Sequence, residues 1–256
     1  MLDWFAALAP ACQALLASLF TWAMTAAGAA LVFFPCFGRG RLLPCVLGLA
    51  AGVMTAASFW SLLLPAAEMC ESFGYSSVLL TIGFFLGGAL LFVCDALFAR
   101  SAKKAENRAA MLVFSVTLHN VPEGLCVGVA FGALAYGEAG GGIAAACLLA
   151  LGIGLQNFPE GAAISLPLRS GGFTRSRAFF WGHISGAVEP ASAVFGAFFV
   201  LAVRAALPFS LAFAAGAMIY VVAAELLPEG AERREATAIA AIVGFSVMML
   251  MDTVFG

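Results

Sequence analysis

Charge is what this chain has least of. Asp, Glu, Lys and Arg make up 10% of its 256 residues, whereas 63% are hydrophobic. A water-soluble domain carries roughly a quarter of its residues as charges, so this composition excludes water as the main solvent. Histidine is scarcer still, with two residues on separate segments. That excludes an HExxH metalloprotease, whose two His must share one helix face. The seven cysteines (Cys12, Cys36, Cys45, Cys70, Cys94, Cys126 and Cys147) form no CxxC pair. They are read as small apolar residues between helices, not as a thiolate metal site. No Arg lies deep in an apolar run to hold a phosphate, which argues against a lipid phosphatase. Basic runs are absent and the net charge is −2, so no nucleic-acid partner is expected. Asp3 stands where a secretory leader would carry Lys or Arg, so a cleaved leader is not expected either.

What the chain does contain is a series of long apolar runs. Crossing the hydrocarbon takes about 20 residues of helix, and helices satisfy their own backbone where no water is available. Eight segments qualify: 12–34, 43–65, 78–99, 111–136, 142–168, 179–203, 207–227 and 236–255. The expectation is an all-α integral membrane protein of about eight transmembrane helices, forming a single transmembrane transporter domain over 1–256, with lipid around it. Eleven of the 12 Lys and Arg fall in the connections after helices one, three, five and seven; the exception is Arg204. The positive-inside rule then puts both termini on the non-cytoplasmic side, in the cell (inner) membrane.

Two internal repeats follow. Helix four carries His119-Asn120-Val121-Pro122-Glu123-Gly124, and helix five carries Gln156-Asn157-Phe158-Pro159-Glu160-Gly161. Helices two and seven share a weaker echo: Ala50-Ala51-Gly52-Val53-Met54 leads to Leu64-Pro65, and Ala214-Ala215-Gly216-Ala217-Met218 leads to Leu227-Pro228. Each pair runs in opposite directions through the membrane. Inverted repeats of this kind belong to secondary transporters, whose binding sites lie near the midplane on helices broken by Pro or Gly. Kinked, Pro-containing helices four and five are therefore expected at the centre. Each proline leaves the carbonyl four residues back, on Leu118 or Leu155, without its helical partner.

The chemistry lies in the buried acids. Each ionisable side chain inside a membrane costs at least ~2.5 kcal/mol on insertion scales, and Glu123, Glu160, Glu189 and Glu225 lie inside predicted spans. No Lys or Arg shares their depth, so the missing partner is either a proton or a mobile cation. Helix geometry favours the cation. His119 and Glu123 share a face at i, i+4 with Asn120 beside them, and helix five repeats the arrangement with Gln156, Asn157 and Glu160. Two such faces present one imidazole, three amides and two carboxylates, and a bridging Glu on each helix could serve two adjacent metal positions. Imidazole with carboxylate suits zinc, iron(II), manganese(II), cobalt(II) or cadmium, while calcium or magnesium would want an all-oxygen shell. The ion is expected as transported substrate, with no cofactor and no enzymatic activity. The competing reading is a proton-relaying carrier of another small solute. Glu189 is a further candidate ligand. Glu225 is a candidate for ion exit, and Glu68 and Asp252 are candidates at the outer mouth. Asp95 reads as interfacial, and His183 as structural or ligating in equal measure.

At this point the paired motif, the eight spans and the stretch Ser185 to Pro190 resemble the ZIP (Zrt/Irt-like) family of divalent metal transporters, in its bacterial form. The resemblance implies a binuclear centre between helices four and five. One metal would be held by His119, Glu123, Gln156 and Glu160. The other would be held by Asn120, Asn157, Glu189 and the bridging Glu123 and Glu160. It also implies import towards the cytoplasm, homodimers, and an elevator-like motion of the bundle that holds the metal. Two departures stand out. Many members have His where this chain has Gln156, and some have an acid at the Asn157 position. The connection 100–110 also lacks the His cluster common in the family.

Overall fold

The computed structural model describes residues 3–34, 42–99, 104–134 and 142–255, and no strand occurs among them. Eight helices account for most of the described chain. They are α1 (Pro10–Ala29), α2 (Leu42–Phe73), α3 (Val78–Ala99), α4 (Lys104–Leu134), α5 (Gly142–Ser170), α6 (175–198), α7 (200–229) and α8 (Arg234–Phe255). Five stretches are long and apolar enough to cross a bilayer: Pro10–Phe33, Leu42–Phe73, Val78–Leu97, Gly142–Ser170 and Val203–Met251. The last has 49 residues, which as one helix would be about 74 Å long against a hydrocarbon thickness of ~30 Å. It instead turns at the 3₁₀ segment Gly230–Arg233 and makes two passes as α7 and α8. The other two helices fall outside that set. α4 carries His119, Asn120 and Glu123 at its middle, and a 3₁₀ turn at Ser185–Ala187 divides α6. The chain is an all-α integral membrane protein.

The helices pair in a symmetric pattern. α1 packs most extensively on α5, α4 on α6, α2 on α8 and α3 on α7. Exchanging α1 with α6, α2 with α7, α3 with α8 and α4 with α5 turns each of these pairs into another of them. Small residues make the pairings close, as expected where lipid offers no hydrophobic drive between helices. A Cβ at Gly161 would overlap the Thr25 carbonyl of α1, and one at Gly128 would overlap the Ala193 carbonyl of α6. The same holds for Gly87 against Phe213 and Gly52 against Ala241 in the other two pairs. Helices α1, α4, α5 and α6 form one group, and α2, α3, α7 and α8 form the other. They meet chiefly where α4 touches α7 and α2 touches α5.

The echo between helices two and seven has a structural cause. A π-helical segment precedes each Leu-Pro: Ser58–Leu63 before Leu64-Pro65, and Val222–Leu226 before Leu227-Pro228. The first has 6 residues and the second 5, which accounts for the one-residue difference in spacing. A π segment widens the helix ahead of a residue that cannot donate to it.

Several boundaries differ from expectation. Phe199, at φ −111 and ψ 35, breaks the chain between α6 and α7, so α7 begins at Val200 and Arg204 lies inside it, not in a connection. α6 starts at Arg175 because the Thr174 side chain accepts a hydrogen bond from the Arg177 N–H and caps its first turn. As expected, Pro122 and Pro159 lie inside α4 and α5. The connections 35–41, 100–103 and 135–141, with Arg39, Arg41, Arg100 and Lys103, lie outside the described residues.

Candidate functional site

The seven residues singled out as ligands all converge in the group formed by α1, α4, α5 and α6. His119, Asn120, Glu123, Gln156, Asn157, Glu160 and Glu189 are each 0% exposed. α4 and α5 present their matched faces to each other, and α6 brings Glu189 in just after its 3₁₀ turn. The parts of these helices that surround the cluster contain no Lys or Arg.

Hydrogen bonds divide the cluster into two halves. In the first, Gln156 Nε2 donates to Glu123 Oε1 at 2.7 Å, and His119 Nε2 lies 3.4 Å from Glu160 Oε2. One ligand atom each from His119, Glu123 and Glu160 lies within 4.8 Å of the others, so these three could hold a metal ion. In the second half, Asn157 Nδ2 donates to Glu189 Oε2 at 2.9 Å and Asn120 Nδ2 to the Ser185 carbonyl at 3.0 Å. Thr21 of α1 also donates its hydroxyl to Glu189 Oε2.

Atoms left without a hydrogen bond are as informative as those that have one. Asn120 Oδ1, Glu123 Oε2, Gln156 Oε1, Asn157 Oδ1, Glu160 Oε1 and Glu189 Oε1 are buried and unpartnered. Buried polar atoms are normally paired, and an orphan costs about 1–3 kcal/mol. All six are acceptor oxygens from one cluster. What satisfies such a set is a source of positive charge, and no Lys or Arg in the surrounding helix segments provides it.

Residues 99–252 match the family model described as ZIP Zinc transporter. The chain belongs to the ZIP family. It is 39% identical to the human protein named zinc transporter ZIP11, over 95% of this chain and 97% of that protein. It is 36% identical to zinc transporter GufA of Myxococcus xanthus, over 82% and 85%. With zinc transporter ZIPB of Bordetella bronchiseptica it shares 32%, over 92% and 79%.

The remaining candidates of this ZIP chain are dispersed. Glu68 lines a cavity of about 500 Å³ between α2, α4, α5 and α8, whose wall reaches Val129 and Leu155. Glu225 is half-buried in the π segment of α7. Asp252 falls in the last turns of α8, and its side chain is not among those described. Asp95 accepts a hydrogen bond from the Tyr220 hydroxyl at 3.1 Å, which joins α3 to α7. His183 is structural in this arrangement: its ring stacks on Trp22 and Phe179, and its Nδ1 lies 2.8 Å from the Phe180 carbonyl. Trp22 Nε1 donates to the His183 carbonyl at 2.8 Å.

Sequence reasoning missed Thr21. The available signal was a stripe of hydroxyls in an apolar helix, Ser18, Thr21 and Thr25, all of them buried. A Thr in a helix often bonds its own backbone, and Thr21 Oγ1 does lie 3.0 Å from the Ser18 carbonyl. The second bond, to Glu189, depends on where α6 packs and cannot be read from the sequence.

Proposed function

We propose that this protein carries zinc, and with it related divalent ions such as iron(II), manganese(II), cobalt(II) or cadmium, across the membrane into the cytoplasm through a binuclear site between α4 and α5. The observation that carries the reading is the set of six unpartnered acceptor oxygens around one imidazole, in a region without Lys or Arg. Zinc as cargo also agrees with the names of the relatives.

The first metal position takes His119, Glu123, Gln156 and Glu160. An ion centred among three donors no more than 4.8 Å apart would lie at most ~2.8 Å from each, and Zn–N and Zn–O bonds are about 2.0–2.2 Å. Inward shifts of under an ångström therefore complete the shell. The second position takes Asn120, Asn157 and Glu189, with Glu123 and Glu160 bridging. Amides at Gln156 and Asn157 supply weaker donors than His or carboxylate, which suits an ion that must leave again. Polar atoms inside the bilayer then exist to replace the hydration shell of the cargo. The reading as a carrier agrees with the family and with the relatives, which are named transporters.

The basic connections support an orientation. Eleven of 12 Lys and Arg on one side place that side in the cytoplasm, with both termini outside, in the cell membrane. On this orientation the cavity beside Glu68 opens outward and the end of α7 near Glu225 faces inward. The two groups of helices are the parts that move past each other during transport, and the functional unit is a homodimer. Equilibrium dialysis of purified protein against radioactive zinc tests the site. Two ions per native chain and fewer in Glu160→Ala are expected; an equal count in both refutes the assignment.

A further inference from the structure

Helix α1 contributes no residue to the ligand sets described above, yet one of its side chains is bonded directly to a ligand. Thr21 is fully buried, and its hydroxyl donates to Glu189 Oε2. Asn157 Nδ2 donates to the same oxygen at 2.9 Å and also points at the Thr21 carbonyl, 3.5 Å away. Both donors therefore converge on Oε2, and the carboxylate is left with one unengaged atom, Oε1. Beside that atom stands Gly186, where a Cβ would come within 3.0 Å of Oε1 and 2.9 Å of Thr25 Oγ1. The glycine keeps the space next to Oε1 clear.

The same contacts orient the amides. Asn157 turns its nitrogen towards Thr21 and Glu189, and Asn120 turns its nitrogen to the Ser185 carbonyl. In each case the oxygen is the atom left unpartnered. Three oxygens, Asn120 Oδ1, Asn157 Oδ1 and Glu189 Oε1, are thus presented by partners that hold the opposite atom of the same group.

We propose that Thr21 is the positioning residue of the second metal position: it fixes Glu189 as a one-oxygen ligand and, with Asn157, sets whether that position fills. The inference rests on the binuclear reading above. Thr21 does not touch the cargo. It acts through Glu189, and the first position, built on His119, Glu123, Gln156 and Glu160, does not depend on it.

The test is zinc titration of the purified full chain by calorimetry, with cobalt(II) absorption as a second readout, on native protein, Thr21→Val, Thr21→Ser and Thr25→Val. Valine keeps the shape of threonine and removes the hydroxyl. Losing one hydrogen bond to a charged group corresponds to a weakening of roughly ten- to hundredfold, and that loss is expected at the second ion only. Retention of the first ion at native affinity shows that the variant is folded. Thr21→Ser restores the second ion, and its cobalt spectrum matches native protein. Thr25→Val keeps both ions, since the Thr25 hydroxyl bonds the Thr21 carbonyl and not Glu189. Two ions with unchanged affinities in Thr21→Val overturn the inference while leaving the binuclear reading intact. Equal weakening of both ions, or a serine variant no better than valine, also overturns it. Fewer than two ions in native protein overturns both.

Discussion

Gly161 sits next to Glu160 at a close approach of α5 to α1, which links packing directly to the site. A Cβ built there would overlap the Thr25 carbonyl oxygen and lie 2.8 Å from Ala29 N and 2.9 Å from Thr25 C. Ordinary contact begins at 3.4 Å, and the obstructing atoms are backbone on both sides, so no side chain can swing away. The helices must separate by at least about 0.6 Å to clear the nitrogen alone. Overpacking of this kind costs about 1–3 kcal/mol, against a gain of roughly 0.5–1 kcal/mol for replacing a mid-helix glycine. Gly161→Ala is therefore expected to lower the thermal midpoint in detergent by several degrees, at roughly 2–4 °C per kcal/mol for a chain of this size. It should also weaken zinc binding, because Asn157 and Glu160 shift with α5 relative to Thr21 on α1. Gly152→Ala is the control. It lies on the same helix with nothing within 4 Å of its Cβ, so it should be neutral or slightly stabilising. Circular dichroism melts of the two variants decide the matter. If Gly161→Ala melts with or above Gly152→Ala, the close α1–α5 contact does not have the role assigned to it.

Three further expectations follow from the same geometry. Zinc at a hundred times its dissociation constant should stabilise native protein by about 2.7 kcal/mol, seen as a raised melting midpoint that a chelator reverses; Glu160→Ala should show no such rise. Gln156→His replaces an amide with an imidazole and should tighten the first zinc by roughly tenfold, about 1.4 kcal/mol, measured by competition with a chromophoric chelator. Tyr220→Phe removes the 3.1 Å bond between α7 and α3 and should cost about 0.5–1.5 kcal/mol of stability. Its zinc affinity should stay native, because that bond lies within the group α2, α3, α7 and α8, which supplies none of the candidate ligands.

Much of the site was legible because polar residues in an apolar run have few explanations. His119, Asn120 and Glu123 against Gln156, Asn157 and Glu160 could be placed face to face from helical spacing alone, and all six are buried together. The Leu64-Pro65 and Leu227-Pro228 echo was visible too, but its spacing defect was interpretable only once the π segments were seen. Helix ends were less legible. Hydropathy falls gradually near Arg204, whereas the break is made by the backbone of Phe199, an apolar residue with no turn signal. The pairing of α1 with α5 and of α4 with α6 was not readable, since glycine and alanine are spread over every span. Thr21 and the stacked ring of His183 became interpretable only after those pairings were known, because each depends on a neighbour more than 150 positions away in the chain.

The central claim is that the cluster between α4 and α5 carries metal across the bilayer. Uptake of zinc into proteoliposomes, with native protein beside Glu160→Ala and His119→Ala, tests it most directly. Zinc-dependent filling is expected with native protein and background rates with both variants, each still folded by its melting curve. Native protein that moves no zinc, or variants that move it as fast as native protein does, would contradict the account.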